Sequence, residues 1–159
     1  MIVLVGFMGA GKTTVGRLLA RELGVPFVDA DAAIEAAAGL SVPEIFSSRG
    51  EPGFRRIEAE TIADLLAGDD VVLALGGGAL GSADVRQALA GHRVVLLDVP
   101  LAEALVRVGG DPSRPMLARP DLAELYEGRQ QAYRDAASVV LPVAGRTPRE
   151  VVAEIVAAL

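Results

Sequence analysis

The chain contains no cysteine, so disulfides, thiolate metal sites and a cysteine nucleophile are all excluded. Its single histidine, His92, rules out a multi-histidine metal centre and argues against a histidine-based triad. Asparagine is absent too, so the chain has no N-glycosylation acceptor and no asparagine-based guanine-reading element. Aromatic residues make up only 4%, so the core must be built from Val, Leu, Ile and Ala. Basic charge is scarce: the net charge of −6 argues against nucleic-acid and acidic-membrane partners. No apolar run is long enough to span a bilayer, and the longest weakly polar stretch, Val71 to Gly81, is short and full of glycine. The apolar start, MIVLVGFMGAGKTT, has no basic leader or cleavage-like site and reads as a buried strand, so a cytoplasmic protein is expected.

What is present fits one domain over residues 1–159, with 52% hydrophobic and 23% charged residues. Strand-like runs at Ile2–Val5, Phe27–Val28, Val71–Leu75, Val94–Val99 and Val139–Val143 alternate with helix-period segments. Helices are expected over Thr13–Leu23, Asp31–Ala38, Ser41–Ser48, Pro52–Ala67, Ser82 to about Ala90, Leu101–Val108, Asp121–Ala137 and Pro148–Leu159. Ser41 with Glu44 has the spacing of a capping box, and Thr147 is the expected cap of the last helix. This alternation predicts an α/β three-layer sandwich around a five-stranded parallel sheet. Ligands then bind beyond the carboxyl ends of the strands. The chemically unusual segments 6–14, 29–31, 76–78 and 109–120 all follow strands or their helices, and the fold would gather them at one edge.

Gly6 to Thr13 reads GFMGAGKT and fills the G-x-x-x-x-G-K-[ST] pattern between a strand and a helix. Glycines let backbone N–H groups converge on phosphate oxygens, and the helix start adds partial positive charge. Fourteen of the fifteen basic residues are arginine, and the one lysine, Lys12, occupies the phosphate-binding position of this motif. Lys12 would hold the β- and γ-phosphates, and the Thr13 hydroxyl would ligate Mg²⁺.

Asp29 and Asp31 follow the second strand, where both carboxylates can project to one side and face the triphosphate. One could hold Mg²⁺, directly or through water, while the other accepts a proton from an attacking hydroxyl. The competing reading makes Asp31 only the cap of the next helix, with Asp29 solvated. The strand at 71–75 carries no acidic residue, so the metal-linked carboxylate is expected from this pair.

Arg55 has Glu58 three residues on, Arg129 lies in GRQQAY, and Gly76-Gly77-Gly78 follows a strand. An arginine fork and exposed glycine N–H groups are what a carboxylate-bearing substrate would want. On the residues alone, a solvated helix with i,i+3 ion pairs is the stronger reading of Arg55. Arg114 sits in Gly109 to Pro120, a stretch too rich in glycine and proline to be regular, where a lid arginine could neutralise developing phosphoryl charge. Arg107 and Arg146 could stack on a planar base.

Together these motifs resemble shikimate kinase. The resemblance runs in order through nearly the whole chain: GFMGAGKTT, FVDADAAIE, GEPGFRRIE, LALGGGA, RVGGDPSRPML, RQQAY and GRTP. It implies a monomeric P-loop kinase fold of the nucleoside-monophosphate-kinase type, with strand order 2-3-1-4-5. It also implies transfer of the ATP γ-phosphate to the 3-hydroxyl of shikimate, with Mg²⁺ as cofactor. By the same resemblance, ATP would be bound by Gly9, Ala10, Gly11, Lys12, Thr13, Thr14, Arg107, Arg114 and Arg146. Thr13 and Asp29 would serve the metal, Asp29 through water. Asp31 would contact the shikimate hydroxyls and act as base, with Lys12 and Arg114 as the other catalytic groups. Arg55 and Arg129 would grip the carboxylate beside Gly77 and Gly78, with Glu58 assisting Arg55; Tyr133 marks out Arg129 from Arg119 and Arg134. The shikimate-binding region would span about 31–60 and a lid about 109–123. F-R-R-x-E and the triple glycine argue against a gluconate or nucleoside-monophosphate kinase, and no Asn-Lys-x-Asp element supports a guanine switch.

Overall fold

A computed structural model describes residues 1–109 and 119–159. Arg114 and most of the expected lid therefore lie outside the described residues. Five short strands, β1 (Ile2–Val5), β2 (Phe27–Asp29), β3 (Val72–Ala74), β4 (Arg93–Asp98) and β5 (Val139–Pro142), form one sheet. All neighbours are parallel and the order is β2-β3-β1-β4-β5. In the centre, Val3 stands opposite Leu73 on one side and Val94 on the other. Successive strand residues face opposite sides, yet Val3, Leu4 and Val5 are all essentially unexposed, so both faces are covered.

The covering helices are α1 (Lys12–Leu23), α2 (Ala30–Ala38), α3 (Val42–Ala67), α4 (Ala83–Ala88), α5 (Leu101–Val108), α6 (Leu122–Ala136) and α7 (Pro148–Ala157). No helix among the described residues is long and apolar enough to cross a membrane. The capping box at Ser41 and Glu44 forms, and Thr147 makes a second with Glu150. The two helices expected at 41–48 and 52–67 run on as α3, but the backbone is non-helical at Gly50, with φ 68° and ψ 178°. The break is physical. It also places Pro52 in the first turn of the second segment, where its missing N–H costs no hydrogen bond.

Aliphatic side chains fill the main core around the sheet, as the low aromatic content requires. Ile34, Ile45 and Phe54 form a second, smaller core, with Phe46 stacked on Phe54 at 4.5 Å between centroids. This small core holds α2 against α3. It thereby fixes Asp31, near the start of α2, relative to Arg55 and Glu58 on α3.

Candidate active site

Parallel pairing brings the ends of all five strands to one edge. The loop after β1 turns there on Gly6, Gly9 and Gly11, whose φ angles are 145°, 79° and 90°. Two of these glycines also allow close approach: a Cβ on Gly6 would stand 2.6 Å from the Leu97 carbonyl oxygen, and one on Gly9 2.7 Å from that of Ala104. α1 begins at Lys12 with no side-chain cap and no acidic residue in its first turn, which leaves its positive end for an anion. Lys12 Nζ donates to the carbonyls of Gly6 and Phe7 at 2.7 and 3.2 Å and so lies across the loop.

Asp29, not Asp31, caps α2. Its Oδ1 accepts from the N–H groups of Asp31 and Ala32 at 3.0 and 3.4 Å. Its other oxygen, Oδ2, accepts from the Thr13 hydroxyl at 3.4 Å. The backbone decides between the two aspartates: Asp29 ends β2 in an extended conformation, as a cap must, while Asp31 is already in the first helical turn. Relieved of capping, Asp31 opens onto the cleft. Although solvent reaches it, surrounding protein displaces enough water to raise its carboxyl above the ordinary aspartate range; Asp29 adds to the rise, and Lys12 and Arg55 oppose it.

Glu58 is 1% exposed and is the one buried charged residue among the described residues. Its Oε2 accepts from Arg55 Nη1 at 2.7 Å, which fixes one edge of the guanidinium. Burial raises the Glu58 carboxyl, and Arg55 pulls it back down. Solvation alone therefore does not explain Arg55. After β3, Gly76 to Gly78 passes between these groups, followed by a 3-10 turn at Ala79–Gly81. A Cβ on Gly76 would lie 2.9 Å from Asp31 Oδ1, and one on Gly78 2.9 Å from Arg55 Nη1. Arg129, on α6, sits over the Phe7 ring at 5.9 Å, with Nη1 3.2 Å from where a Gly77 Cβ would stand.

Two adjoining cavities result. The first, of about 780 Å³, is lined by Gly9, Gly11, Lys12, Thr13, Thr14, Asp29, Asp31, Arg107 and Arg146, together with Gly76 and Gly77. The second, of about 630 Å³, includes Arg55, Gly77, Gly78, Arg129 and Tyr133, so Gly77 belongs to both. Ala10 is buried within the phosphate loop and Glu58 behind Arg55. Arg107 donates to the carbonyls of Gly9 and Val143 at 3.3 and 3.1 Å, joining the phosphate loop to the segment after β5. Arg146 pairs with Glu154 and Arg107 with Glu103. Arg134 pairs with Asp98 at 3.0 Å, and Arg119 with Asp121 at 2.6 Å. Met8, Leu75, Val108 and Pro148 complete the first cavity; all four fall within motifs that carry the family resemblance, GFMGAGKTT, LALGGGA, RVGGDPSRPML and GRTP.

Fold and site together define a P-loop kinase, with a phosphate cradle at one end of the cleft and an arginine-bearing pocket at the other. The family model for shikimate kinase matches residues 8–159. The shikimate kinase of Mycobacterium avium is 48% identical over 99% of this chain and 92% of its own length. That of Pseudomonas syringae pv. tomato is also 48% identical, over 99% and 95%. The structure of shikimate kinase from Acinetobacter baumannii in complex with shikimate superposes with a TM-score of 0.93 at 38% identity, covering 99% of this chain and 90% of that one. The chain belongs to the shikimate kinase family.

The electrostatics give a direct test. Carbon-13 NMR of the ligand-free protein is expected to show the Asp31 carboxyl titrating above the ordinary aspartate value, and to show it falling in Asp29→Asn; a parent value at or below the ordinary one contradicts this. The sign for stability follows. Asp31 and Glu58 bind their protons more tightly in the folded protein than in the unfolded chain. Their contribution is therefore most favourable below the ordinary carboxylate range and declines as pH rises through the raised folded values.

Proposed function

We propose that this chain transfers the γ-phosphoryl group of ATP to the 3-hydroxyl of shikimate, a step toward chorismate and the aromatic amino acids. The observation that carries this reading is the Arg55–Glu58 pair, set in a cavity that shares Gly77 with the phosphate-loop cleft. A guanidinium with one edge tied to a buried carboxylate presents its remaining donors in a fixed plane, which suits a carboxylate substrate.

In this reading Arg55 and Arg129 hold the shikimate carboxylate beside Gly77 and Gly78, which aims the ring hydroxyls at Asp31. Asp31 orients the 3-hydroxyl in line and takes its proton as the new oxygen–phosphorus bond forms and the bond to the ADP oxygen breaks. Lys12 and Arg114 stabilise charge on the transferring group, and Arg107, Arg146 and Pro148 flank the base. Gly9, Ala10, Gly11, Thr13 and Thr14 contribute the loop and the helix start. Thr13 and Asp29 present hard oxygen donors 3.4 Å apart, which fits a Mg²⁺ ion that keeps water and phosphate ligands. Such an ion would neutralise phosphate charge when bound with the nucleotide. The net charge of −6 argues against nucleic-acid and acidic-membrane partners, and the family resemblance supports a monomer.

A substrate panel with coupled ADP detection tests the assignment. Shikimate is expected to stimulate ADP release, and gluconate and nucleoside monophosphates to leave it at background; the reverse pattern overturns it. Gly78→Ala probes the carboxylate pocket by space alone. Gly78 has helical dihedrals (φ −99°, ψ −4°) that alanine adopts freely, but the added methyl would press on the Arg55 guanidinium. The variant is expected to fold normally and to raise the shikimate KM about fivefold, a loss of about 1 kcal/mol, with the ATP KM unchanged in steady-state kinetics.

A further inference from the structure

Tyr133 is among the largest fully buried side chains, at 1% exposure, yet it carries a hydroxyl. A buried hydroxyl needs partners. This one donates to the Gly77 carbonyl at 2.6 Å, across 56 positions of chain. The Arg129 guanidinium stands beside the same hydroxyl: a Cβ on Gly77 would lie 3.2 Å from Arg129 Nη1 and 3.5 Å from the Tyr133 oxygen. Burial pushes the Tyr133 hydroxyl up to about 12, so it remains a donor at any working pH. Gly77 and Arg129 both line the second cavity.

A trans peptide is planar, so a carbonyl and the following N–H point in opposite directions. Anchoring the Gly77 carbonyl therefore sets the direction of the Gly78 N–H. Two adjacent glycines cannot hold such a plane by themselves, because each has wide conformational freedom. Among the described residues neither glycine N–H donates to a backbone carbonyl. We infer that Tyr133 is a positioning residue for the substrate carboxylate. Its hydroxyl orients the Gly77–Gly78 peptide beside the Arg129 guanidinium, so that a backbone N–H and an arginine converge on one anion.

This inference rests on the reading that the second cavity takes the carboxylate of shikimate. Tyr133→Phe removes the hydroxyl and keeps the ring. Steady-state kinetics are expected to show the shikimate KM raised about five- to tenfold, kcat within about twofold and the ATP KM unmoved. Calorimetry then compares shikimate with an analogue whose carboxylate is reduced to a hydroxymethyl group. Y133F should weaken only the carboxylate ligand; an unchanged shikimate KM, or equal weakening of both ligands, overturns the inference. One measurement needs no variant: the Gly78 amide proton of the parent should move on adding shikimate and stay in place with the alcohol analogue. An unmoved Gly78 amide also overturns it. A parent that does not phosphorylate shikimate removes the substrate reading and this inference together; a parent that does, with a silent Y133F, removes this inference alone.

Discussion

Asp31→Asn is expected to lower kcat at least about a hundredfold, the scale of a lost general base, while ATP binds with unchanged affinity. Asparagine keeps the size and one acceptor oxygen but cannot take a proton. Since Asp29 and not Asp31 caps α2, the substitution leaves the helix start intact. It also removes a carboxylate whose proton affinity is raised first by burial and then by Asp29, so folding stability should hold or improve at neutral pH. Stopped-assay kinetics with ATP calorimetry check both halves. Turnover near the parent rate would take the proton-accepting role away from Asp31.

Arg55→Lys is expected to raise the shikimate KM about tenfold or more, as when a charged, two-pronged hydrogen bond becomes a point contact. Lysine can still neutralise the buried Glu58, so the variant should fold. Alanine would instead leave that carboxylate buried and unpaired, at a cost of about 3–5 kcal/mol. The ATP KM should not move, because Arg55 lines the second cavity and not the first. An unchanged shikimate KM would remove Arg55 from the carboxylate site.

Local chemistry was readable from the chain; long-range contact was not. The phosphate loop is a contiguous pattern whose glycines have backbone reasons, and it stands where its motif requires. Leu101–Val108 has the bounds that its periodicity predicts, and the Ser41 box forms because both partners are three residues apart. Asp29 and Asp31 could not be ranked as caps from composition, because either side chain can cap; β2 runs one residue further than expected and settles it. The 3-10 turn at Ala79–Gly81 carries no periodic signal. Sequence alone favours a solvated ion pair at Arg55, and only the burial of Glu58, a tertiary property, turns the balance toward a site. The Tyr133–Gly77 bond joins α6 to the loop after β3, and no local pattern in either segment announces it.

Phosphorus NMR of a mixture of protein, Mg²⁺, ATP and shikimate, compared with the same mixture lacking shikimate, bears most directly on the proposed chemistry. One phosphomonoester resonance is expected to grow in step with ADP, and only when shikimate is present. ADP formation indifferent to shikimate, or accompanied by inorganic phosphate with no new ester, would contradict the assignment.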